Sequence, residues 1–388
     1  MQLNALCSFH SSFRRVILQS RVLSVARFTC LRHLKTNISD KGICYSILDA
    51  GVAETVMKLV WENQINKSST LIISNQGKNP HITNAALKVG FPDIILTEKN
   101  SDVLKGHLKI AQKFPACRVK GRVLNLFDWT FTNLLTEENL QQEMNTLGQF
   151  EQNPWSDDPP LTVFGIVTPG TVVGQNLFKY LTNQLVTFGS LYTKGSVDWF
   201  LFINPMNYQA LVKGKLQHHF KTYRPQPIMV NILYDWKVLL KLPAVSFWPP
   251  LYDVKFKKEE VKYGSTVIRK NEIYLVQFTP KASLFQEHLL EVRDINACFM
   301  FLEQLLANKS RRLIPRIEQM VPGSGIELIK MGYTMVTLVA DLKSPEEMVH
   351  LFKAIRNLPE FQASPLETLV LHGKEEYPQA EDGVLEGH

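Results

Sequence analysis

"LIISNQGKNPHITNAAL", residues 71–87, places an apolar, β-branched run (Leu71, Ile72, Ile73) before a polar turn and the start of a helix near Ile82-Thr83. Strand, glycine-bearing loop and helix is the order in which an α/β sheet presents helix N–H groups to a cofactor. The loop departs from that pattern in composition. It holds a single glycine, Gly77, and Pro80 has no N–H to offer a ligand.

The alternation continues on both sides. Val52, Val56, Leu59 and Val60 predict a helix over about 49–62 that leads into this strand. Downstream come a helix near 83–89, a strand at 93–97 ending at Glu98, a helix at about 102–112 and a third strand at 122–126. Residues 139–160, rich in Gln, Asn, Asp and Pro, read as a loop or insertion. A fourth strand (161–167), a helix (177–188), a fifth strand (199–203), a helix (206–216) and strands at 242–248 and 273–278 complete the series. Strands alternating with helices specify a doubly wound, mostly parallel α/β sheet. The charged stretch 255–262 reads as a solvated hairpin, and Trp248 as a residue packing a core edge.

After Pro280 the strand pattern stops. Leu289, Val292, Ile295, Phe299, Leu302 and Leu306 step by three or four along one helix face. Ser344, Pro345 and Glu347 form the start of a second helix, with Met348, Leu351, Phe352 and Ile355 on its apolar side. This predicts an α/β domain over 39–284, a small all-α domain over 285–374 and an acidic, disordered tail over 375–388.

The chain has 388 residues, 45% of them apolar, enough for a large core. No apolar run approaches the ~20 residues that span a bilayer, so no membrane insertion is expected. The net charge of +7 is concentrated at the start. Arg14, Arg15, Arg21, Arg27, Arg32 and Lys35 precede the first acid, Asp40, and removing those six cations leaves the rest near neutral. Arginine- and serine-rich, acid-free and interleaved with apolar residues, residues 1–38 have the composition of a mitochondrial transit peptide. A basic nucleic-acid-binding arm is the alternative, and the interleaved apolar residues count against it. Five cysteines show neither CxxC pairs nor regular spacing, which argues against a disulfide framework or a cysteine metal site. Adjacent His218 and His219 suit no common metal spacing, and no metal is expected.

Two basic runs stand out: Lys213, Lys215, Lys221 and Arg224, and Lys309, Arg311, Arg312 and Arg316. Each is compatible with a solvated face or with phosphate contacts.

Several longer stretches carry a family resemblance: "AETVMKLVWENQ" (53–64), "VDWFLFINPMNYQALVKG" (197–214), "NEIYLVQFTPKASLF" (271–285) and "GIELIKMGYTMVTLVADLKSPEEMVHLFKAI" (325–355). Over about residues 45–370 the chain resembles the mitochondrial transcription factor B family of the rRNA adenine dimethyltransferase superfamily, and most of all its transcription-initiating branch. The resemblance implies a Rossmann-like class I methyltransferase fold followed by a helical domain. It also implies a place in the mitochondrial matrix, at the nucleoid.

The family's cofactor loop carries an acid and two closely spaced glycines. Carried onto this sequence, the acid falls at Ser74 and the glycines at Lys78 and Pro80; Thr83 is retained. Glu98 stands where such folds bind ribose hydroxyls, and the acid near the adenine aligns with Phe127, leaving Asp128 as a shifted remnant. The target-base motif falls on Gly165 to Pro169, where Thr168 and Pro169 supply neither the acceptor nor the stacking aromatic. The degenerate loop Ser74, Gly77, Lys78 and Pro80 therefore implies no bound cofactor and no catalytic residue; S-adenosylmethionine belongs to the alternative in which the chain methylates mitochondrial small-subunit rRNA. A non-catalytic rRNA-binding assembly factor is a further alternative. The resemblance implies mitochondrial RNA polymerase and melted promoter DNA as partners. It assigns Arg311, Arg312 and Arg316, with Lys213, Lys215 and Lys221, to nucleic acid.

Overall fold

The computed structural model describes residues 45–74, 77–123, 126, 159–167, 177–186, 191–192, 195–215, 224–251, 256–281, 292–342 and 344–372. The expected transit peptide, the expected acidic tail, Asp128, Thr168, Pro169 and Lys221 lie outside the described residues, as does nearly all of the 139–160 insertion.

A two-residue strand, β1 (Ser46–Ile47), precedes α1 (Ala50–Asn63). Asp49 caps this helix by accepting the Val52 N–H at 2.9 Å, and Ala53, Val56, Met57 and Val60 recur at helical spacing on its buried side. Then follow β2 (Thr70–Ser74), α2 (His81–Val89), β3 (Asp93–Thr97), α3 (Ser101–Ala111), β4 (Arg118–Arg122) and β5 (Leu161–Ile166). The second half adds α4 (Leu177–Val186), β6 (Val197–Ile203), α5 (Pro205–Lys215), α6 (Pro225–Leu233), β7 (Tyr234–Pro243) and β8 (Phe247–Trp248). A hairpin, β9 (Glu260–Tyr263) and β10 (Thr266–Arg269), precedes β11 (Glu272–Pro280).

Among the described residues, seven strands form the main sheet in the order β4-β3-β2-β5-β6-β11-β7. The first five are mutually parallel, and β11 runs antiparallel to both β6 and β7. This is the mixed sheet of a Rossmann-like class I methyltransferase fold. The strand order reverses between β2 and β5, and the carboxyl ends at such a reversal are where open α/β sheets take ligands.

Successive strand residues point to opposite faces, so each strand feeds two cores. Leu71, Ile73, Leu96, Phe164 and Phe202 pack under α1, α2 and α3. Ile72, Val163, Trp199 and Leu201 face the other core, which also holds residues of α4, α5 and α6. That second core continues without a break into α7 (Val292–Leu306), α8 (Leu313–Met320), α9 (Gly325–Lys330), α10 (Pro345–Arg356) and α11 (Pro365–His372). Ser344 caps α10, its Oγ accepting the Glu347 N–H at 3.1 Å.

Three elements differ from the sequence expectation. The third strand is Arg118–Arg122 rather than 122–126. As an edge strand it has one neighbour, and its exposed positions take Arg and Lys. β7 begins at Tyr234, eight residues before the expected 242, because it too is an edge strand, with Asp235, Lys237 and Lys241 exposed along it. The helix at 225–233 was hidden by Pro225 and Pro227, which its first turn tolerates.

Candidate functional site

The switch point is built by register. Ser74, the last residue of β2, pairs laterally with Thr97 on one side and Gly165 on the other. Ser74 and Gly165, read separately from sequence, are thus brought together, while Glu98 lies one residue past the paired end of β3. The Ser74 side chain is fully buried, and its Oγ finds no hydrogen-bond partner among the described residues. Glu98 is buried too; its backbone N–H donates to the Arg122 carbonyl at 3.1 Å, which fixes the end of β3 against β4.

The loop leaving β2 is tied down by its own contacts. Gly77 adopts φ +63°, a conformation that favours glycine. Its carbonyl lies 2.9 Å from Nε2 of His107, a buried residue of α3, and His107 Nδ1 lies 2.8 Å from Thr83 Oγ1 in α2. The neutral ring can satisfy both contacts at once, with Nε2–H donating to Gly77 and Nδ1 accepting from Thr83. Asn79 Nδ2 donates to the Ile47 carbonyl at 3.0 Å, joining the loop to β1. Pro80 is the N-cap of α2 and makes no side-chain cap bond; Lys78 is exposed. His107 is a site residue the sequence reading missed. The available signal was a polar residue in the apolar stripe of α3, between Leu104 and Ala111.

S-adenosylmethionine is the cofactor this fold implies, and the described residues fit it poorly. Its sulfonium is positive, yet the β2 end offers a neutral hydroxyl where an acid would help, and Lys78 adds like charge. Pro80 removes one N–H and fills space that a glycine would leave open. The Gly77 carbonyl and the Asn79 amide are already engaged. Glu98 brings a carboxylate to this edge, but it is buried and its Oε1 accepts the Asn100 N–H at 3.5 Å.

The cations divide by environment. Arg311 and Arg312 are exposed on the turn into α8. Arg316 is half-buried, and its guanidinium donates to the Gln304 carbonyl (Nε at 3.2 Å, Nη2 at 2.6 Å), so it caps the last turn of α7 instead of facing freely outward. The Lys213 ammonium lies 5.6 Å from the Tyr263 ring centroid. Lys215 ends α5. The two basic runs meet where Arg224 and Lys309 approach each other: burial, and then the Arg224 charge, hold Lys309 below the usual lysine range.

Trp248 does not pack a core edge. Phe247 beside it is fully buried, whereas Trp248 is 54% exposed.

The sheet and its switch-point loop define a chain of class I methyltransferase architecture. Its similarity in sequence is to proteins named mitochondrial dimethyladenosine transferase 2: 27% identity over 242 residues with that of Drosophila melanogaster, 29% over 137 with that of Mus musculus and 22% over 202 with that of Rattus norvegicus. These matches cover 62%, 35% and 52% of this chain and 51%, 33% and 49% of the relatives, so the chain spans at most about half the length of the curated relatives it matches. They support the rRNA adenine dimethyltransferase family. No family model matches. Among solved structures, the 23S rRNA methyltransferase ErmE aligns over 80% of this chain and all of its own length (11% identity, TM-score 0.47). A dimethyladenosine transferase from Plasmodium falciparum aligns over 84% of this chain and 89% of its own (11% identity, TM-score 0.43).

Proposed function

We propose that this chain is a mitochondrial transcription initiation factor on a degenerate rRNA adenine dimethyltransferase scaffold. In this reading it acts with mitochondrial RNA polymerase at the nucleoid in the matrix, helps melt promoter DNA and holds the opened strand. The mitochondrial names of the relatives and the composition of residues 1–38 support the compartment.

The observation that carries the reading is the state of the β2 edge. Ser74, Lys78 and Pro80 stand where a methyl-donor site needs an acid and close backbone approach, and His107 and Asn79 hold the loop in that form. A protein that keeps the fold but lacks the cofactor chemistry works by binding. The meeting of cations at Arg224 and Lys309, with Arg311 and Arg312 exposed nearby in sequence, supplies charge for phosphates.

Calorimetric titration of the full chain with S-adenosylmethionine tests the non-catalytic half of the reading. No saturable heat is expected at near-physiological cofactor concentration. Saturable micromolar binding would restore the rRNA methyltransferase alternative.

A further inference from the structure

The segment after β7 takes an unusual course. β7 ends at the same sheet edge as β2 and β6, because it is antiparallel to β11, which is itself antiparallel to β6. From there the chain turns back along the edge. Ala244 N–H donates to the Asn271 carbonyl at 2.7 Å, and the Phe247 ring packs edge-on to Phe202 of β6 with centroids 5.1 Å apart. β8 then pairs antiparallel with β1, Ser46 opposite Trp248 and Ile47 opposite Phe247. Asn79 bonds to the Ile47 carbonyl, so this ribbon is joined to the switch-point loop.

Alternation settles what each side of the ribbon does. Ile47 and Phe247 point inward and are buried. The other side carries Ser46, buried opposite Trp248, together with the exposed Trp248 and, one pair further on, the exposed Leu48, whose N–H donates to the Ser246 carbonyl at 3.0 Å. Diagonal cross-strand neighbours of this kind lie within reach of an aromatic ring. The result is a large π-face and an adjacent aliphatic group, both exposed, on a ribbon fixed from beneath. Lys78, exposed, directly precedes the residue that ties the loop to the ribbon.

We propose that Trp248, with Leu48 beside it, is a stacking platform for an unpaired base of a single DNA strand, and that Lys78 contacts a phosphate of the same strand. The proposal deepens the functional reading above and rests on it, since it names what the former cofactor edge holds. A base suits this surface better than a buried apolar partner would. The patch is one ring wide, the loop tied to its ribbon carries the exposed Lys78, and every base offers a π-face to it. The lysine that opposes a sulfonium then has a use of its own.

The test is fluorescence anisotropy of a labelled oligothymidylate of about 20 nucleotides with the full chain, alongside Trp248→Leu, Trp248→Phe and Lys78→Ala. Loss of one stacked base corresponds to a roughly five- to hundredfold weaker Kd, expected for Trp248→Leu, which keeps the apolar cover but has no ring. Trp248→Phe should retain most of the affinity. Lys78→Ala should lower the slope of log K against log salt by about 0.7. Melting temperatures of all three should match the unsubstituted chain, because both positions are exposed. If the unsubstituted chain binds the strand and Trp248→Leu binds it equally well, the platform is overturned while the functional reading stands. If the unsubstituted chain binds no single strand, that reading falls and takes the platform with it.

Discussion

Thr83 Oγ1 lies 2.8 Å from Nδ1 of His107, and the opposite nitrogen of the same ring reaches the Gly77 carbonyl at 2.9 Å. One buried imidazole thus joins the start of α2, the middle of α3 and the turn after β2. Replacing His107 with Ala removes the donor to the buried Gly77 carbonyl and one contact of the Thr83 hydroxyl, and the unsatisfied carbonyl costs about 1–3 kcal/mol before any relaxation. Chemical denaturation should show that loss. Hydrogen exchange should show faster opening at residues 77–79 than in the β5–β6 core. A variant as protected as the parent at those amides would mean that the latch does not hold the loop.

Asp198, fully buried at the start of β6, accepts from Gln277 Nε2 at 3.0 and 2.9 Å and from Thr279 Oγ1 at 2.8 Å. Burial outweighs these bonds and pushes its carboxyl up to about 6. A folded-state value above the unfolded ~3.9 means that the native state binds the extra proton between those limits. The ionised group therefore costs stability in full above about pH 6, and the cost fades as pH falls through the window toward 4. The stability of the parent minus that of Asp198→Asn should decrease by about 2–3 kcal/mol as pH rises from about 4 to 7. A difference that is flat across that range, followed by urea titration at each pH, would contradict the assignment.

Trp199 Nε1 donates to the Tyr192 hydroxyl at 2.7 Å; Tyr192 lies 2.7 Å from the Tyr234 hydroxyl, which donates to the Leu181 carbonyl at 3.0 Å. The chain of bonds ties β6, β7 and α4 together inside the core. Tyr192→Phe strands the indole N–H, so a loss of about 1–3 kcal/mol is expected from thermal or urea unfolding. Tyr263→Phe, at a half-buried position on the hairpin, should cost less.

How much of this was legible in the sequence depends on burial. β3 was read at its observed bounds because a buried parallel strand must be apolar on both faces, and Ile94, Ile95 and Leu96 are. β4 slipped by four residues because edge position frees a strand from that demand. The site was legible as substitutions (Ser74, Lys78, Pro80), since those are local in sequence. The lateral pairing of Ser74 with Gly165, the His107 latch and the return of β8 onto β1 were not. They join residues that are distant in sequence, and only the folded sheet brings them together.

The three arginines should separate in experiment. Arg316→Ala removes charge-assisted bonds to the end of α7 and should lower stability by about 1.5–3 kcal/mol. Arg311→Ala and Arg312→Ala, both exposed, should stay within about half a kcal/mol. If the two exposed residues meet phosphates, each should also reduce the salt slope of single-strand binding by about 0.7. Equal destabilisation by all three would contradict the division.

The central claim is that a methyltransferase fold here serves promoter opening. Run-off transcription with mitochondrial RNA polymerase tests it most directly, on a closed promoter and on the same promoter with a pre-melted bubble, each with and without this chain. Transcripts from the closed promoter should depend on the chain, while the bubble template should largely dispense with it. Transcription from the closed promoter that is the same in the presence and absence of the chain would contradict the account.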